Sequence, residues 1–155
     1  MEPSPGARLA LLLLDGFNVL VAEVVAELER RGHPGVTAAH EFALAAIDEG
    51  ADSASALGRR LGVTKQAAAK TIAGLERLGY LERIDDPEDA RRKRLHVTGR
   101  GYEMVAIGAR AFDDLRAQWA TAAGPETIDE VEAALTRLVG GEPRRILPAA
   151  SETPG

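Results

Sequence analysis

The chain has 155 residues, of which 45% are apolar but only 4% aromatic, so Leu, Val and Ala must fill most of any core. It has no cysteine, which excludes disulfides, thiolate metal sites and thiol-based redox sensing. A formal net charge of −5 argues, before its distribution is followed, against a nucleic-acid partner.

The first residues, Met-Glu-Pro-Ser-Pro-Gly, lack a basic n-region, and Asp15 interrupts the longest apolar run. Neither a signal peptide nor a membrane span is expected, and a soluble cytoplasmic protein is the default. Residues Gly6 to Arg31 are predicted as one long helix, apolar almost all round at Leu9–Leu14 and Phe17–Val21. A helix apolar on every side needs cover on every side. A second copy of the chain is the expected cover; the alternative is the central core helix of a monomer. Gly16 is a weak point or a close-packing site.

Residues 31–35 read as a loop, and Thr37 as the N-cap of a helix that turns Ala39, Phe42, Ala43, Ala46 and Ile47 inward and ends at Gly50. His40-Glu41 does not open a metalloprotease motif, because position 44 is Leu where a second His is needed. Three histidines without cysteine make a poor zinc set, so neither a metal nor a cofactor is expected.

Ala54, Leu57 and Leu61 mark one face of a short helix, and Gly62 stands where a left-handed residue would end it. Val63 is expected to plug the corner and Thr64 to cap a second helix, 64–78. There Ala68, Ile72 and Leu75 face inward, while Lys65, Gln66, Ala69, Lys70 and Ala73 face outward. Two helices on so tight a turn form a helix-turn-helix. After Gly79, Tyr80–Ile84 alternates as a strand, Asp85-Asp86-Pro87-Glu88-Asp89 is turn chemistry, and Leu95-His96-Val97 is a second strand. Such a hairpin, basic at Arg91-Arg92-Lys93-Arg94, is a wing. Residues 53–100 hold eleven Lys/Arg against six Asp/Glu, a local +5 beside −10 for the remainder. Binding responds to potential within about 8–10 Å, so this segment outweighs the total.

Thr98 can cap a long helix over residues 101–122, with Met104, Ile107, Gly108, Ala111 and Leu115 in one stripe and Val105, Phe112 and Trp119 in another. Gly124-Pro125 breaks it. A last helix from about Glu126 turns Ile128, Val131, Leu135 and Leu138 inward, and residues 141–155 are expected to be a disordered tail.

The segments LGRRLGVTKQAAAKTIAGLERLGYLER and DPEDARRKRLHVTGRG, about a third of the chain, resemble the MarR (multiple-antibiotic-resistance regulator) family of winged-helix transcription factors. Asp89-x-Arg91 and Val97-Thr98-x-x-Gly101 fall at that family's spacing. Gly58 departs from it, standing where Ala is usual, with a modest loss of helix stability expected. The fold class expected is mainly α with a small β-hairpin wing. An N-terminal dimerisation helix (1–35), a winged helix-turn-helix (36–100) and C-terminal dimerisation helices (101–140) follow in order, the terminal helices interlocking in a homodimer as the resemblance implies.

The expected function is transcriptional regulation by sequence-specific binding to a pseudo-palindrome in double-stranded DNA, as a repressor relieved by a small effector. The major groove admits one helix. Gln66 can pair with adenine, Lys65 and Lys70 can meet guanine or phosphate, Ala67 or Ala69 can touch thymine methyls, and Thr64 suits a phosphate. The resemblance puts Arg91 in the minor groove, with Asp89 holding that arginine or bracing the loop. Arg92, Lys93 and Arg94 alternate in direction, so only some of them face DNA. Arg59, Arg60 and Arg77 are phosphate candidates. The resemblance also implies a small aromatic or lipophilic effector, for which Phe17, His40, Phe42, Met104, Phe112 and Trp119 are candidates, though such side chains are also ordinary core. The rival classes are a winged-helix module that binds protein instead of DNA, and a small helical enzyme; no nucleophile–base pair or metal constellation supports the latter.

Overall fold

A computed structural model describes residues 1–141, so the expected tail lies, beyond Gly141, outside the described residues. Six helices and one hairpin follow the predicted order: α1 (Pro5–Arg30), α2 (Ala38–Asp48), α3 (Ala54–Leu61), α4 (Lys65–Arg77), β1 (Leu81–Asp85), β2 (Lys93–Val97), α5 (Gly99–Ala123) and α6 (Pro125–Leu138). The architecture is mainly helical with a two-stranded antiparallel sheet, as expected.

Caps account for most of the boundaries. Ser4, Thr37, Ser53, Thr64 and Thr98 each accept a backbone N–H from the first turn of the following helix. Tyr80 lies just outside β1 and is fully buried in the core, and β2 begins two residues before the predicted strand. The core joins Val24 and Leu28 of α1, Leu44 of α2, Leu57 of α3, Leu75 of α4, and Met104 of α5. It therefore sits where the two long helices meet the winged unit. Ala39 is exposed, contrary to expectation, because the inward arc of α2 is turned toward Glu41, Leu44 and Ala45.

Helix α1 is largely uncovered within a single chain. Only Val24 and Leu28 are buried, while Leu9, Leu11, Leu12, Leu13, Leu14, Phe17 and Val19 are exposed. The central core helix of a monomer is thereby overturned. By length and composition alone α1 could also cross a bilayer, so Asp15 does not by itself exclude a span. Toward α5, a Cβ at Gly16 would lie 3.5 Å from the Trp119 ring, an ordinary packing distance. Helix α6 buries no residue at all. Val131 and Leu138, expected inward, are exposed; α6 packs along α5, to which Arg116 ties it through Asp129 (2.8 Å) and Glu132 (2.7 Å).

Candidate nucleic-acid interface

The helix-turn-helix is set by a close approach between α3 and the turn that follows it. Gly62 adopts φ 71°, a left-handed conformation that glycine reaches without a Cβ clash. A Cβ at Gly58 would come within 2.9 Å of the Val63 carbonyl oxygen, so the glycine that departs from the usual alanine fits a turn too tight for it. Val63 does not plug the corner; it is 45% exposed, and Leu61 is the turn's residue packed on the core. Thr64 Oγ1 accepts the Ala67 N–H at 3.1 Å, leaving its own O–H able to donate outward.

In α4, Ala68, Ile72 and Leu75 are buried as predicted. Lys65, Gln66, Ala67, Ala69, Lys70 and Ala73 are exposed on the opposite side. Among the described residues, no hydrogen bond or ion pair engages the side chains of Lys65, Gln66 or Lys70. The first turns of α4 thus present cations, one amide and small apolar groups to solvent.

The hairpin pairs Leu81 with Val97, Arg83 with Leu95 and Asp85 with Lys93 on one face, and Glu82 with His96 and Ile84 with Arg94 on the other. Leu81, Leu95 and Val97 anchor the first face to the core. That register divides the basic run. Lys93 is held by Asp85, whereas Arg91, Arg92 and Arg94 are exposed with no side-chain partner among the described residues. Asp89 braces the loop rather than the arginine side chain: its Oδ1 accepts the Arg91 backbone N–H at 3.0 Å, and Asp86 Oδ1 accepts from Glu88 N–H at 2.9 Å. A cleft of about 290 Å³ separates wing from helix, lined by Ser53, Ala69, Ile72, Arg83, Arg92 and Lys93 among others. Of the additional phosphate candidates, Arg59 and Arg77 are exposed, and Arg60 is paired with Glu49.

A partly buried polar junction holds this unit to the long helices. Thr98 Oγ1 donates to the Gly79 carbonyl (2.8 Å) and accepts the Gly101 N–H (3.2 Å). A Cβ at Gly101 would lie 2.6 Å from the Tyr80 carbonyl oxygen, which explains the Thr98-x-x-Gly101 spacing physically. Tyr80 reaches His33 beneath α1, and the Arg100 guanidinium lies 5.0 Å over the Tyr80 ring.

The effector candidates do not all come together. Phe17, Phe42 and Phe112 form a ladder with ring centroids 6.3 and 6.2 Å apart, joining α1, α2 and α5. Met104 is fully buried core, and Trp119 packs by Gly16 instead. His40 is drawn elsewhere: its Nδ1 accepts the Thr37 N–H (3.1 Å) in a capping box, and its Nε2 lies where a Cβ at Gly74 would be 2.8 Å away. Burial, and then Arg77, lower its pKa, keeping that accepting nitrogen unprotonated.

Two buried polar groups escaped prediction. His33 is 2% and Glu41 1% exposed. His33 lies in the loop of residues 31–35, and Glu41 follows His40 in a pair that lacks the second histidine of a zinc motif. The one available signal for Glu41 was its position three and four residues before Leu44 and Ala45, on their face of the helix.

Comparison with known proteins bears on the whole arrangement. Residues 34–92 match the model of the MarR family. No curated protein sequence matches the chain. Among solved structures, RV1404 from Mycobacterium tuberculosis is similar at TM-score 0.68 and 18% identity, over 93% of this chain and 100% of that one. Streptococcus pneumoniae FabT, in complex with DNA, is similar at TM-score 0.65 and 24% identity, over 85% and 93%. A mutant of S. aureus MepR, bound to an oligodeoxyribonucleotide, is similar at TM-score 0.55 and 19% identity, over 84% and 94%. At these identities the likeness establishes a shared fold.

Proposed function

We infer that this chain, whose residues 34–92 match the MarR family model, is a transcriptional regulator that binds double-stranded DNA as a homodimer. The observation that carries the reading is the free basic surface. Lys65, Gln66 and Lys70 on the outer face of α4, with Arg91, Arg92 and Arg94 of the wing, are exposed on a unit whose opposite side is core. The similar fold of FabT was solved with DNA and that of MepR with an oligodeoxyribonucleotide, which supports the same partner here.

In this reading α4 enters the major groove, where Gln66 reads adenine and Lys70 meets guanine or phosphate. Lys65 and the Thr64 hydroxyl hold phosphate, and Arg59 and Arg77 are outlying phosphate contacts. Arg91, on the loop that Asp89 braces, enters the minor groove. The bare apolar surfaces of α1 and α6 are the dimer interface, each copy covering Leu9, Leu12, Val131 and Leu138 of the other. Two-fold symmetry then sets two readers roughly 34 Å apart on a pseudo-palindrome. The chain acts as a repressor, relieved when a small aromatic or lipophilic molecule changes the relation between reader and dimer helices at the Phe17–Phe42–Phe112 ladder. Selecting fragments of the source genome bound by the purified chain tests the reading. Enrichment of a few sites with two half-sites supports it, and enrichment of none overturns it.

A further inference from the structure

Helix α2 lies against α3, α4 and β2 of the winged unit and also against α5. Any rearrangement of its contact with α5 therefore moves the reading helix relative to the long helices. At that contact sits a carboxyl. Glu41 is buried, and its Oε1 has no hydrogen-bond partner, the sole buried side-chain atom so placed among the described residues. It lies directly on the backbone of α5 at Gly108, where a Cβ would be 2.5 Å from the carboxyl carbon and 3.1 Å from Oε2. Only a glycine leaves space there.

We propose that Glu41 is a proton-operated latch between α2 and α5. With the carboxyl neutral the two helices lie flush; with the carboxylate ionised, the contact parts to admit water or a counter-cation. An unpaired buried carboxylate is far more costly than a neutral acid in the same place. Burial raises its pKa to about 7, so the change falls near neutrality.

No neighbouring charge replaces the proton. On α3, Arg60 pairs with Glu49 and Arg59 is exposed. On α4, Arg77 acts on His40, and Glu76 is held by Arg83. On β2, His96 faces Glu82 and Lys93 faces Asp85, while Arg94 is exposed. On α5, Tyr102 donates to Asp48, Glu103 faces His33, Arg100 covers Tyr80, and Arg110 and Asp113 are exposed. On α1, Asp15 and Glu23 are exposed and Glu27 is paired with Arg30. Burial alone shifts Glu41, in keeping with this inventory.

The latch itself needs no DNA; its effect on DNA affinity rests on the function proposed above. The test uses the full chain and the Glu41→Gln and Glu41→Leu variants, two replacements that cannot ionise. Amide exchange protection of α2 and of α5 around Gly108, corrected for intrinsic exchange, is compared at pH 5.5 and 8.5. Protection lost at pH 8.5 in the parent and retained in either folded variant is the expected result. Equal protection at both pH values in the parent, or the same loss in both variants, overturns the latch. DNA affinity is then expected to change at least about fivefold over that range in the parent and not in the variants. An unchanged affinity, with the protection change present, denies that the latch regulates DNA binding. Absence of DNA binding at every pH counts against the proposed function instead and leaves the protection result to decide the latch.

Discussion

The Tyr80 hydroxyl lies 3.1 Å from Nδ1 of His33, a buried contact spanning 47 residues of sequence. Arg100 donates to the same phenol oxygen at 3.4 Å, so the phenol proton is free to go to His33. With the phenol donating, Nδ1 is the acceptor and Nε2 carries the proton on the side of Glu103, 3.6 Å away. The bond joins the end of α1 to the start of the wing. Tyr80→Phe is expected to lower stability by about 1–2 kcal/mol, read as an earlier urea midpoint, since a buried ring nitrogen loses its partner.

Opposed pH dependences follow from the two buried groups. The His33 pKa is lowered, chiefly by burial and next by Arg100, so its contribution is complete above 6.5 and is lost as pH falls below that value. The Glu41 pKa is raised to about 7 from 4.5, so its contribution is complete below 4.5 and is lost as pH rises toward 7. His40, also lowered, adds to the acid-side loss. Compared with the parent, Glu41→Gln should lose stability more steeply between pH 7 and 5, and His33→Asn less steeply. Urea unfolding at stepped pH checks both slopes.

Glycine substitutions should separate by what each Cβ meets. Gly101→Ala would place it 2.6 Å from a backbone oxygen and 2.7 Å from Val97 Cγ1. A loss of about 1–3 kcal/mol is expected from such overpacking. Gly99→Ala meets nothing within 4 Å in the first turn of the same helix. A gain on the order of 0.5 kcal/mol is expected from reduced freedom of the unfolded chain. Thermal midpoints should move in opposite directions.

Local signals explain what could be foreseen. Thr37, Thr64 and Thr98 were legible as caps because a hydroxyl at a helix start has a local task. The inward faces of α3 and α4 and the outward Lys65, Gln66 and Lys70 follow from helical period alone. Glu41 over Gly108 and His33 under Tyr80 were not legible, since each depends on a partner 67 or 47 residues away and has no local pattern. The capping bond of His40 with Thr37 was not legible either, because the usual partner at that position is Glu or Gln. For α6, helical period put Ile128, Val131, Leu135 and Leu138 on one face, but within the chain only Ile128 and Leu135 are half-buried, because period says nothing of what packs on that face.

The bare surfaces of α1 and α6 give a prediction about assembly. Leu12 is 56% exposed in a single chain, and the proposed dimer buries it. Leu12→Glu would desolvate a carboxylate in that interface. Sedimentation should show a dimer for the parent and a shift toward monomer for the variant.

That α4 and the wing clasp DNA is the central claim, and the salt dependence of operator binding tests it most directly. For a dimer neutralising about eight phosphates, log K should fall with log salt at a slope near −7. The doubly substituted chain, Lys70→Ala with Arg91→Ala, should fold, show a shallower slope and lose its preference for the selected site over random sequence. A doubly substituted chain with unchanged affinity and selectivity, or a parent that ignores every genomic fragment at modest ionic strength, would contradict the claim.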